Sequence, residues 1–386
     1  MRVAYTPEQQ ALRDEVRTYF RTLLPPEVRE ELGPNIGEHQ GPRFREIVRQ
    51  LGADGWLGIG WPKEYGGQGR TPIEQYIFFD EARRAHAPLP VVTLNTVGPT
   101  LMRFGSDEQK QRFLPAILRG ECHFAIGYSE PNAGTDLASL QTRAVRDGDG
   151  YVVNGQKIFT TGGHDADFIW LAARTDPDAP KHGGITVLIV DTTAPGFKST
   201  PIENMDDGRT NATYYEDVWV PESMRIGREN EGWKLMTTQL NHERLALSCP
   251  GKAAELFEET LAWARESRAI EQPWVQLLLA RLHAKLDALK LLNWKMAWDL
   301  TEGDLGPAEA SAVKVYSTEL FVEVYQQLLE VVGSAGALKA GSPGAVLRGR
   351  LEHMYRHAPV MTFGGGVNEV QREIIATAGL GLPRSR

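Results

Sequence analysis

The stretch 142–163, TRAVRDGDGYVVNGQKIFTTGG, decides the fold class because its pattern differs from that of the sequence on either side. Polar and apolar residues alternate along it, which is typical of strands, and the DGDG sequence at 147–150 supplies a turn. Strands are predicted at 142–146, 151–158, 168–174, 185–190 and 212–220. Several short strands separated by turns predict a middle β domain over 121–230, built as a small barrel or sandwich.

Helical periodicity returns on both sides of this β domain. In 1–120, three capping boxes predict helix starts, at Thr6, Thr71 and Ser106. Four long segments with apolar stripes follow in the C-terminal part and predict a four-helix bundle. These segments are 233–266, 273–302, 307–332 and 359–378, with Gly303, Gly333 and Gly379 at expected helix ends. The sequence thus predicts an α+β, multidomain fold with an N-terminal helical domain (1–120), a middle β-barrel domain (121–230) and a C-terminal four-helix bundle (231–386).

Composition narrows the function classes. The chain has 386 residues and a formal net charge of −8, which argues against a nucleic-acid-binding protein because such proteins need a basic face. Cys122 and Cys249 offer no disulfide framework and no metal-ligand spacing, and this usage fits a reducing cytoplasm. The N-terminus is charged and amphipathic, unlike a signal peptide, and no apolar run of 18 residues predicts a membrane span.

Glu243 is a candidate catalytic base. If 233–265 forms one helix, Glu243 shares a face with Leu240 and Leu247, so its carboxyl group lies among apolar side chains. Such surroundings disfavour the charged form and raise the pKa, which suits a general base near neutral pH. The alternative from the helix alone is a Glu at the edge of the stripe, reaching solvent or paired with an Arg.

Two polar stretches lie within the predicted β domain. GYSEPNAGTD at 127–136 is rich in backbone donors and hydroxyl groups, which could face a polar ring edge or a phosphate. NGQKIFTTGG at 154–163 places Phe159 and Thr161 two residues apart, so both would lie on one face of a strand. They could supply a ring wall and a hydrogen-bonding group. Taken singly, each stretch is also compatible with an ordinary strand end.

Four motifs in order resemble the acyl-CoA dehydrogenase family, and the resemblance covers nearly the whole chain. They are WPKEYGGQG at 61–69, YSEPNAGTD at 128–136, NGQKIFTTGG at 154–163 and GGGVNEVQREIIATAGLGLPR at 364–384. The resemblance implies FAD, an acyl-CoA substrate and α,β-dehydrogenation. A carboxylate would remove the α-proton, the β-hydrogen would pass as hydride to flavin N5, and hydrogen bonds would stabilise the enolate-like charge.

The resemblance also implies cofactor contacts. Ser129 and the backbone around Tyr128 would meet the polar edge of the flavin. Phe159 stands where the family usually has Trp, against the flavin ring, and Thr161 would approach N5. Thr135 would lie where the pantetheine arm of the substrate or the FAD phosphates pass.

The predicted substrate contacts match the family, whereas the predicted base matches only a minority of its members. Asn241 and Arg244 match positions that line the acyl-CoA arm. Most members carry the base in a C-terminal Glu-Gly-Thr turn, but the matching residues here are Gly365, Gly366 and Val367. A minority of members place it on the helix, where Glu243 matches, so Glu243 is predicted to be the sole base.

Further departures concern the surface that holds the neighbouring subunit's cofactor. The family's Arg-x-x-Phe-Gly motif is replaced by RESRAIEQPW at 265–274, and its Gln-x-x-Gly-Gly turn by EVVGS at 330–334. The resemblance is therefore to actinobacterial acyl-CoA dehydrogenases of steroid side-chain degradation, which assemble as α2β2 heterotetramers. It implies a second acyl-CoA-dehydrogenase-like chain as partner, a steroid CoA thioester as substrate and an electron-transfer flavoprotein as electron acceptor.

Two alternatives stay open at the level of sequence. The chain could be a non-catalytic structural subunit that completes the FAD site of a partner, which the missing Glu-Gly-Thr turn favours. It could also be an oxygen-using flavoenzyme on the same fold, an oxidase or a monooxygenase. His283, His353 and His357 show no metal-like partners in the sequence, so no metal site is predicted.

Overall fold

The structure, a computed structural model, describes residues 4–32, 41–237, 248–303 and 305–384. These residues form two compact units. The sheet unit consists of the described residues of 37–69 and 88–243, and the helical unit of those of 1–36, 70–87 and 244–386. The N-terminal segment therefore contributes helices to both units.

An eight-stranded sheet forms the centre of the sheet unit. Its strands are β1 (Phe124–Gly127), β2 (Arg143–Asp147), β3 (Gly150–Lys157), β4 (Phe168–Arg174), β5 (Ile185–Asp191), β6 (Phe197–Glu203), β7 (Arg209–Pro221) and β8 (Arg225–Ile226). Hydrogen bonding orders them β6–β7–β3–β2–β4–β5–β8, and β1 pairs in parallel with β4. Strands β4 and β5 pair antiparallel and are buried along most of their length, so they form the core of this unit.

The five predicted strands are confirmed within three residues at each end. Strands β1, β6 and β8 were not predicted. β6 contains Pro201 and lies at one end of the sheet order, where a missing backbone N–H is tolerated. β8 has only two residues, too few for an alternating pattern to be recognised.

Eleven α-helices lie in the described residues, and five of them begin where the sequence predicts. They are α1 (Pro7–Leu23), α2 (Pro26–Leu32), α3 (Gly41–Ala53), α4 (Pro72–Arg84), α5 (Gly98–Phe104), α6 (Asp107–Leu118), α7 (Gly251–Glu266), α8 (Pro273–Glu302), α9 (Pro307–Val332), α10 (Arg350–His357) and α11 (Asn368–Ile374). All three predicted capping boxes are present, before α1, α4 and α6. At α1, the Gln9 amide N–H donates to the Thr6 hydroxyl at 3.3 Å, and the Thr6 amide donates to the Gln9 side chain at 3.0 Å.

Helix α9 is the central element of the helical unit. It packs against α7, α8, α10 and α11, and its buried face includes Val324 and Leu328. Helix α4 packs against α1, α7 and α8. Helices α8 and α9 have the predicted bounds, and each ends one residue before the expected glycine, Gly303 or Gly333.

Two predicted helices are wrong in extent. The chain is not helical at 248–250, so 233–266 is not one helix, and α7 begins only at Gly251. Pro250 explains this break, because it has no amide hydrogen and disfavours the helical conformation at Cys249. The sequence predicts one apolar stripe along 233–266 that includes Glu243 and Gly251. Because the helix is broken at 248–250, this stripe is not continuous.

The predicted helix 359–378 is also interrupted. A 3₁₀ turn covers Ala358–Thr362, α11 follows from Asn368, and a π-helical turn covers Ile375–Gly379. The interruption falls at Gly365 and Gly366, whose φ angles are +66° and +98°. Backbone in this left-handed region cannot continue a right-handed helix, and glycine adopts it readily.

Candidate functional site

The chain makes a sharp turn directly after β3. Phe159 has a φ of +59°, and the Thr161 amide donates to the Phe159 carbonyl oxygen at 3.0 Å. The prediction that Phe159 and Thr161 share a strand face is therefore wrong, because β3 ends at Lys157 and strand alternation no longer applies. Both side chains are nevertheless exposed, Phe159 to 62%. We refer to residues 157–163 as the 157–163 turn.

A buried ion pair lies beneath this turn. The Lys157 side chain has 0% exposure, and its Nζ donates to Glu130 Oε1 at 2.8 Å and to the Tyr128 carbonyl oxygen at 3.0 Å. The Glu130 carboxylate also accepts from the Gln141 and Thr142 amides, at 2.7 and 2.8 Å. The pair thus connects the end of β3 to the segment that follows β1.

Burial and pairing act on the two charges differently. Burial lowers the pKa of Lys157 to about 8, although the Glu130 carboxylate opposes this shift. Burial alone would raise the pKa of Glu130, but Lys157 and the hydrogen bonds from Thr142 hold it below its ordinary value. Glu130 is therefore ionised at neutral pH, and removing either partner would leave a buried charge without its counter-charge.

Tyr128 and Ser129 lie next to the 157–163 turn. The Ile158 amide donates to the Ser129 carbonyl oxygen at 2.8 Å, and Glu130 and Ala133 close a tight turn with two backbone hydrogen bonds of 3.0 Å. The Tyr128 hydroxyl accepts from Trp170 Nε1 at 3.1 Å, so the phenol ring is anchored within the protein. Within the described residues, the half-buried Ser129 hydroxyl has no hydrogen-bond partner.

The structure brings together four of the predicted site residues. Backbone contacts and Lys157 join Tyr128 and Ser129 to the segment that carries Phe159 and Thr161. Thr135 lies on the exposed part of the loop after Ala133, and none of the hydrogen bonds among the described residues ties it to this group. The predicted base and substrate contacts, Asn241, Glu243 and Arg244, lie outside the described residues.

The turn that matches the family's Glu-Gly-Thr turn belongs to the helical unit. We refer to residues 362–368 as the 362–368 turn. Lys314 of α9 donates from Nζ to the carbonyl oxygens of Thr362 and Gly366, at 3.1 and 2.7 Å, and to Asn368 Oδ1 at 2.7 Å. The turn carries Gly364, Gly365, Gly366 and Val367 at its centre and no carboxylate. It can hold its own shape, but it offers no proton acceptor of the kind that a base requires.

The helical unit also contains a cluster of groups with shifted pKa values. His86 Nε2 lies 3.1 Å from Glu255 Oε2 and also contacts the Arg350 guanidinium, which pairs with Glu255 and Glu259. Burial lowers the pKa of His86 to about 3. Burial would raise the pKa of Glu255, but hydrogen bonds from His86 and Arg350 bring it to about 2. None of the predicted site residues belongs to this cluster, so we interpret it as a structural anchor.

Two other features, a metal site and a membrane-spanning helix, are absent from the described residues. Across the described ranges, no group of three or more His, Cys, Asp and Glu side chains is arranged to hold a metal ion. None of the helices in the described part of the chain is both long and apolar enough to cross a membrane.

Family models match the chain in three consecutive parts. The N-terminal, middle and C-terminal domain models of acyl-CoA dehydrogenase match residues 6–121, 125–218 and 230–380. Acyl-CoA dehydrogenase FadE26 of Mycobacterium tuberculosis is 54% identical over 398 aligned positions, which cover all of both chains. The chain belongs to the acyl-CoA dehydrogenase family. Dehydrogenation of an acyl-CoA is therefore its general activity, and the predicted family is confirmed.

Solved structures agree with this membership. A protein described as the Tcur3481–Tcur3483 steroid ACAD superposes with a TM-score of 0.96 at 54% identity, with both chains fully covered. A chain of the ChsE4–ChsE5 complex from Mycobacterium tuberculosis gives a TM-score of 0.93 at 54% identity, again over the full length of both chains. The acyl-CoA dehydrogenase fold predicted from the sequence, with helical terminal domains and a middle domain built on a sheet, is thereby confirmed.

Acyl-CoA dehydrogenases are flavoproteins, and the 157–163 turn fits a flavin. The exposed aromatic ring of Phe159 offers an apolar wall, and the nearby exposed residue Thr161 carries a hydroxyl group that lies 3.3 Å from the Thr210 hydroxyl. Phe159 holds this position at a positive φ that is unfavourable for a residue with a side chain. Such strain persists where the surroundings impose it, often at functional sites. The structure contains no feature at this turn that conflicts with the FAD that family membership implies.

Sequence reasoning missed the residues that support this turn. Lys157 occupies an inward-facing position of β3, in step with Tyr151 and Val153, and a lysine at such a position signals a buried cation. Glu130 belongs to the YSEPNAGTD motif, but the sequence does not show that Lys157 is its partner. Asn211, on the neighbouring strand β7, gave no sequence signal at all.

Proposed function

We propose that this chain is the catalytic subunit of a heteromeric, FAD-dependent acyl-CoA dehydrogenase that introduces an α,β double bond into a steroid side-chain CoA thioester. The single observation that supports it best is the 54% identity, over the full length of both chains, to a protein described as a steroid ACAD. The anchored 157–163 turn adds local support, because it presents Phe159 and Thr161 to solvent on a rigid base of buried polar contacts.

Each site residue receives a role under this proposal. Bound FAD would accept the β-hydrogen as hydride at N5. Phe159 would cover one side of the flavin ring, and Thr161 and Ser129 would offer hydroxyl groups to its polar edge. Tyr128 would contribute its backbone, as the resemblance to the family implies. Thr135 would lie along the pantetheine arm or the FAD phosphates.

Glu243 would remove the α-proton. The 362–368 turn supports this assignment indirectly, because it carries no carboxylate where most family members have their base. Asn241 and Arg244, which flank Glu243, would line the acyl-CoA arm. Hydrogen bonds to the thioester oxygen would stabilise the negative charge that develops as the α-proton leaves.

The partner would be a second acyl-CoA-dehydrogenase-like chain in an α2β2 assembly. The departures at 265–274, 330–334 and Val367 support it, since these family positions hold the neighbouring subunit's FAD. The ChsE4–ChsE5 protein to which this chain is similar is itself a complex of two named components. An electron-transfer flavoprotein would reoxidise the flavin in the cytoplasm.

The test of the base is Glu243→Gln in the FAD-loaded complex. We expect turnover to fall by at least about 10³-fold, because the amide cannot accept the α-proton at neutral pH. FAD content and thermal stability should stay at the wild-type level. Glu15→Gln, at an exposed position of α1, is the matched control and should retain turnover. An active Glu243→Gln enzyme would contradict the assignment, and a partner chain that supplies both base and flavin contacts would favour the structural-subunit alternative.

A further inference from the structure

Asn211 forms a two-point contact with the 157–163 turn. This residue of β7 is fully buried, and its backbone carbonyl oxygen accepts from the Thr160 amide at 2.9 Å. Its side-chain Nδ2 donates to the Thr160 carbonyl oxygen at 3.0 Å. Both backbone polar groups of Thr160 are thus bound by one residue, with the Gly163 amide as a second donor to the carbonyl oxygen at 3.1 Å. Thr160 lies between Phe159 and Thr161. A displacement of Asn211 would therefore move both side chains that the cofactor would meet.

The neighbours of Asn211 determine which way its amide points. Arg209 Nε lies 3.3 Å from Asn211 Oδ1, and His164 Nδ1 lies 3.1 Å from Asn211 Nδ2. Because Nδ2 can only donate, His164 Nδ1 must be an acceptor in this arrangement. His164 is then neutral, with its hydrogen on Nε2.

Charged groups around His164 favour this neutral form on balance. Burial lowers the pKa of His164, and the Arg209 guanidinium lowers it further, whereas Asp165 acts in the opposite direction. Asp165 is itself paired with Arg45, at 3.4 Å. Mild acid, which protonates histidine, would place a second donor opposite Asn211 Nδ2.

We propose that Asn211 is a positioning residue for the cofactor-facing turn, and that proton uptake by His164 weakens its hold. The inference rests on the proposed function, since it assumes that FAD lies against Phe159 and Thr161. When His164 Nδ1 carries a proton, two donors face each other across 3.1 Å, and the Asn211 amide has to turn away or move. The Thr160 carbonyl oxygen then loses the Asn211 donor, and the strained backbone at Phe159 loses one of its constraints.

The experiment measures FAD dissociation from the co-expressed complex between about pH 5 and 7, where histidine titrates and Lys157, with a pKa of about 8, stays mostly protonated. In the wild type, FAD affinity should fall as the pH is lowered. In Asn211→Ala, affinity should be about tenfold weaker at about pH 7, as expected for a lost hydrogen bond, and nearly independent of pH. In His164→Gln, affinity should match the wild type at about pH 7 and also be independent of pH, because the Gln carbonyl oxygen can still accept from Asn211.

Asn154→Ala is the matched control. Asn154 of β3 also makes two hydrogen bonds to β7, donating to Asp217 Oδ1 at 2.9 Å and accepting from the Asp217 amide at 3.0 Å, but it is exposed and does not contact the turn. This variant should keep both the FAD affinity and the pH dependence of the wild type.

The outcomes separate this inference from the proposed function. A pH dependence that persists unchanged in His164→Gln would overturn the inference, as would a wild-type affinity in folded Asn211→Ala. If Asn211→Ala does not fold, His164→Gln alone decides. A wild-type complex that binds no FAD at any pH would instead contradict the proposed function.

Discussion

The 157–163 turn and the 362–368 turn are both fixed by a buried lysine and both expose a phenylalanine, yet they differ in the chemistry they carry. Lys157 is paired with a carboxylate and supports a turn with an exposed hydroxyl group. Lys314 donates to two carbonyl oxygens and one amide oxygen and supports a glycine turn. A rigidly held turn is therefore not in itself a functional site.

What separates the two turns is how the backbone strain is distributed. In the 362–368 turn, the positive φ angles fall on glycines, which adopt them at no steric cost. In the 157–163 turn, one positive φ also falls on a glycine, Gly162, but another falls on Phe159, where glycine would be more favourable. A side chain retained against this cost is a stronger pointer to function than burial or polarity.

The largest expected difference comes from replacing the two lysines. Lys157→Met should lower the free energy of unfolding by about 3–5 kcal/mol, because it leaves the Glu130 carboxylate buried without its counter-charge. Lys314→Met should lower it by about 1–3 kcal/mol, because the Thr362 and Gly366 carbonyl oxygens and Asn368 Oδ1 lose their donor. Urea unfolding measures both values, and FAD content should fall only in Lys157→Met.

A double variant of Lys157 and Glu130 distinguishes the effect of the unpaired charge on stability from the effect of the lost lysine on the shape of the turn. Lys157→Met with Glu130→Gln removes both charges, and the single side-chain oxygen of Gln can still accept from one of the two amides, Gln141 or Thr142, which bond to different oxygens of Glu130. Part of the lost stability should return, whereas FAD content should stay low, since the Tyr128 carbonyl oxygen still lacks its donor. Equal destabilisation by the two single lysine variants would remove the distinction between the turns.

Acid should act on the helical unit mainly through His86. Burial depresses the pKa of His86 from 6.5 to about 3, so between these values the unfolded chain binds the proton more readily than the folded one. Stability is therefore complete above about pH 6.5 and is lost as the pH falls through this window, by at most about 1.4 kcal/mol per pH unit for one group. His86→Gln should reduce this slope in urea unfolding. An unchanged slope would show that other groups cause the loss.

The smallest expected effect comes from placing glycine at the positive φ of the 157–163 turn and alanine at a positive φ of the 362–368 turn. Phe159→Gly should leave the free energy of unfolding unchanged or raise it by about 1 kcal/mol, because it relieves the strained φ and loses little buried area. Gly365→Ala should lower it by about 1 kcal/mol, because alanine is unfavourable at a φ of +66°. FAD affinity should fall only in Phe159→Gly. Thermal unfolding together with flavin titration tests both, and a strong loss of stability in Phe159→Gly would contradict the interpretation of strain.

Local patterns were sufficient to predict most of the fold. Capping boxes and glycine stops gave the ends of α1, α8 and α9, because these signals act through residues three or four apart. The break before Gly251 was missed although Pro250 was visible, since the apolar stripe was given more weight than the proline. The two-unit arrangement of the N-terminal helices depends on tertiary packing, which no local pattern records.

The site was predictable only in part. Motifs and resemblance selected Tyr128, Ser129, Phe159 and Thr161, and the structure brings these four into one region. The pairing of Lys157 with Glu130 and of Asn211 with Thr160 joins residues 27 and 51 positions apart, so it could not be inferred without the strand pairing. The roles of Thr135, Asn241, Glu243 and Arg244 stay predictions.

The most direct test of the account is the FAD content of this chain purified alone and after co-expression with its acyl-CoA-dehydrogenase-like partner, read from the visible flavin spectrum. The account predicts little flavin in the chain alone and about half an FAD per chain in the complex, since it assigns one half of each site to the partner. Full flavin occupancy and turnover by the single chain would contradict it, because the departures at 265–274, 330–334 and Val367 would then leave the cofactor site complete.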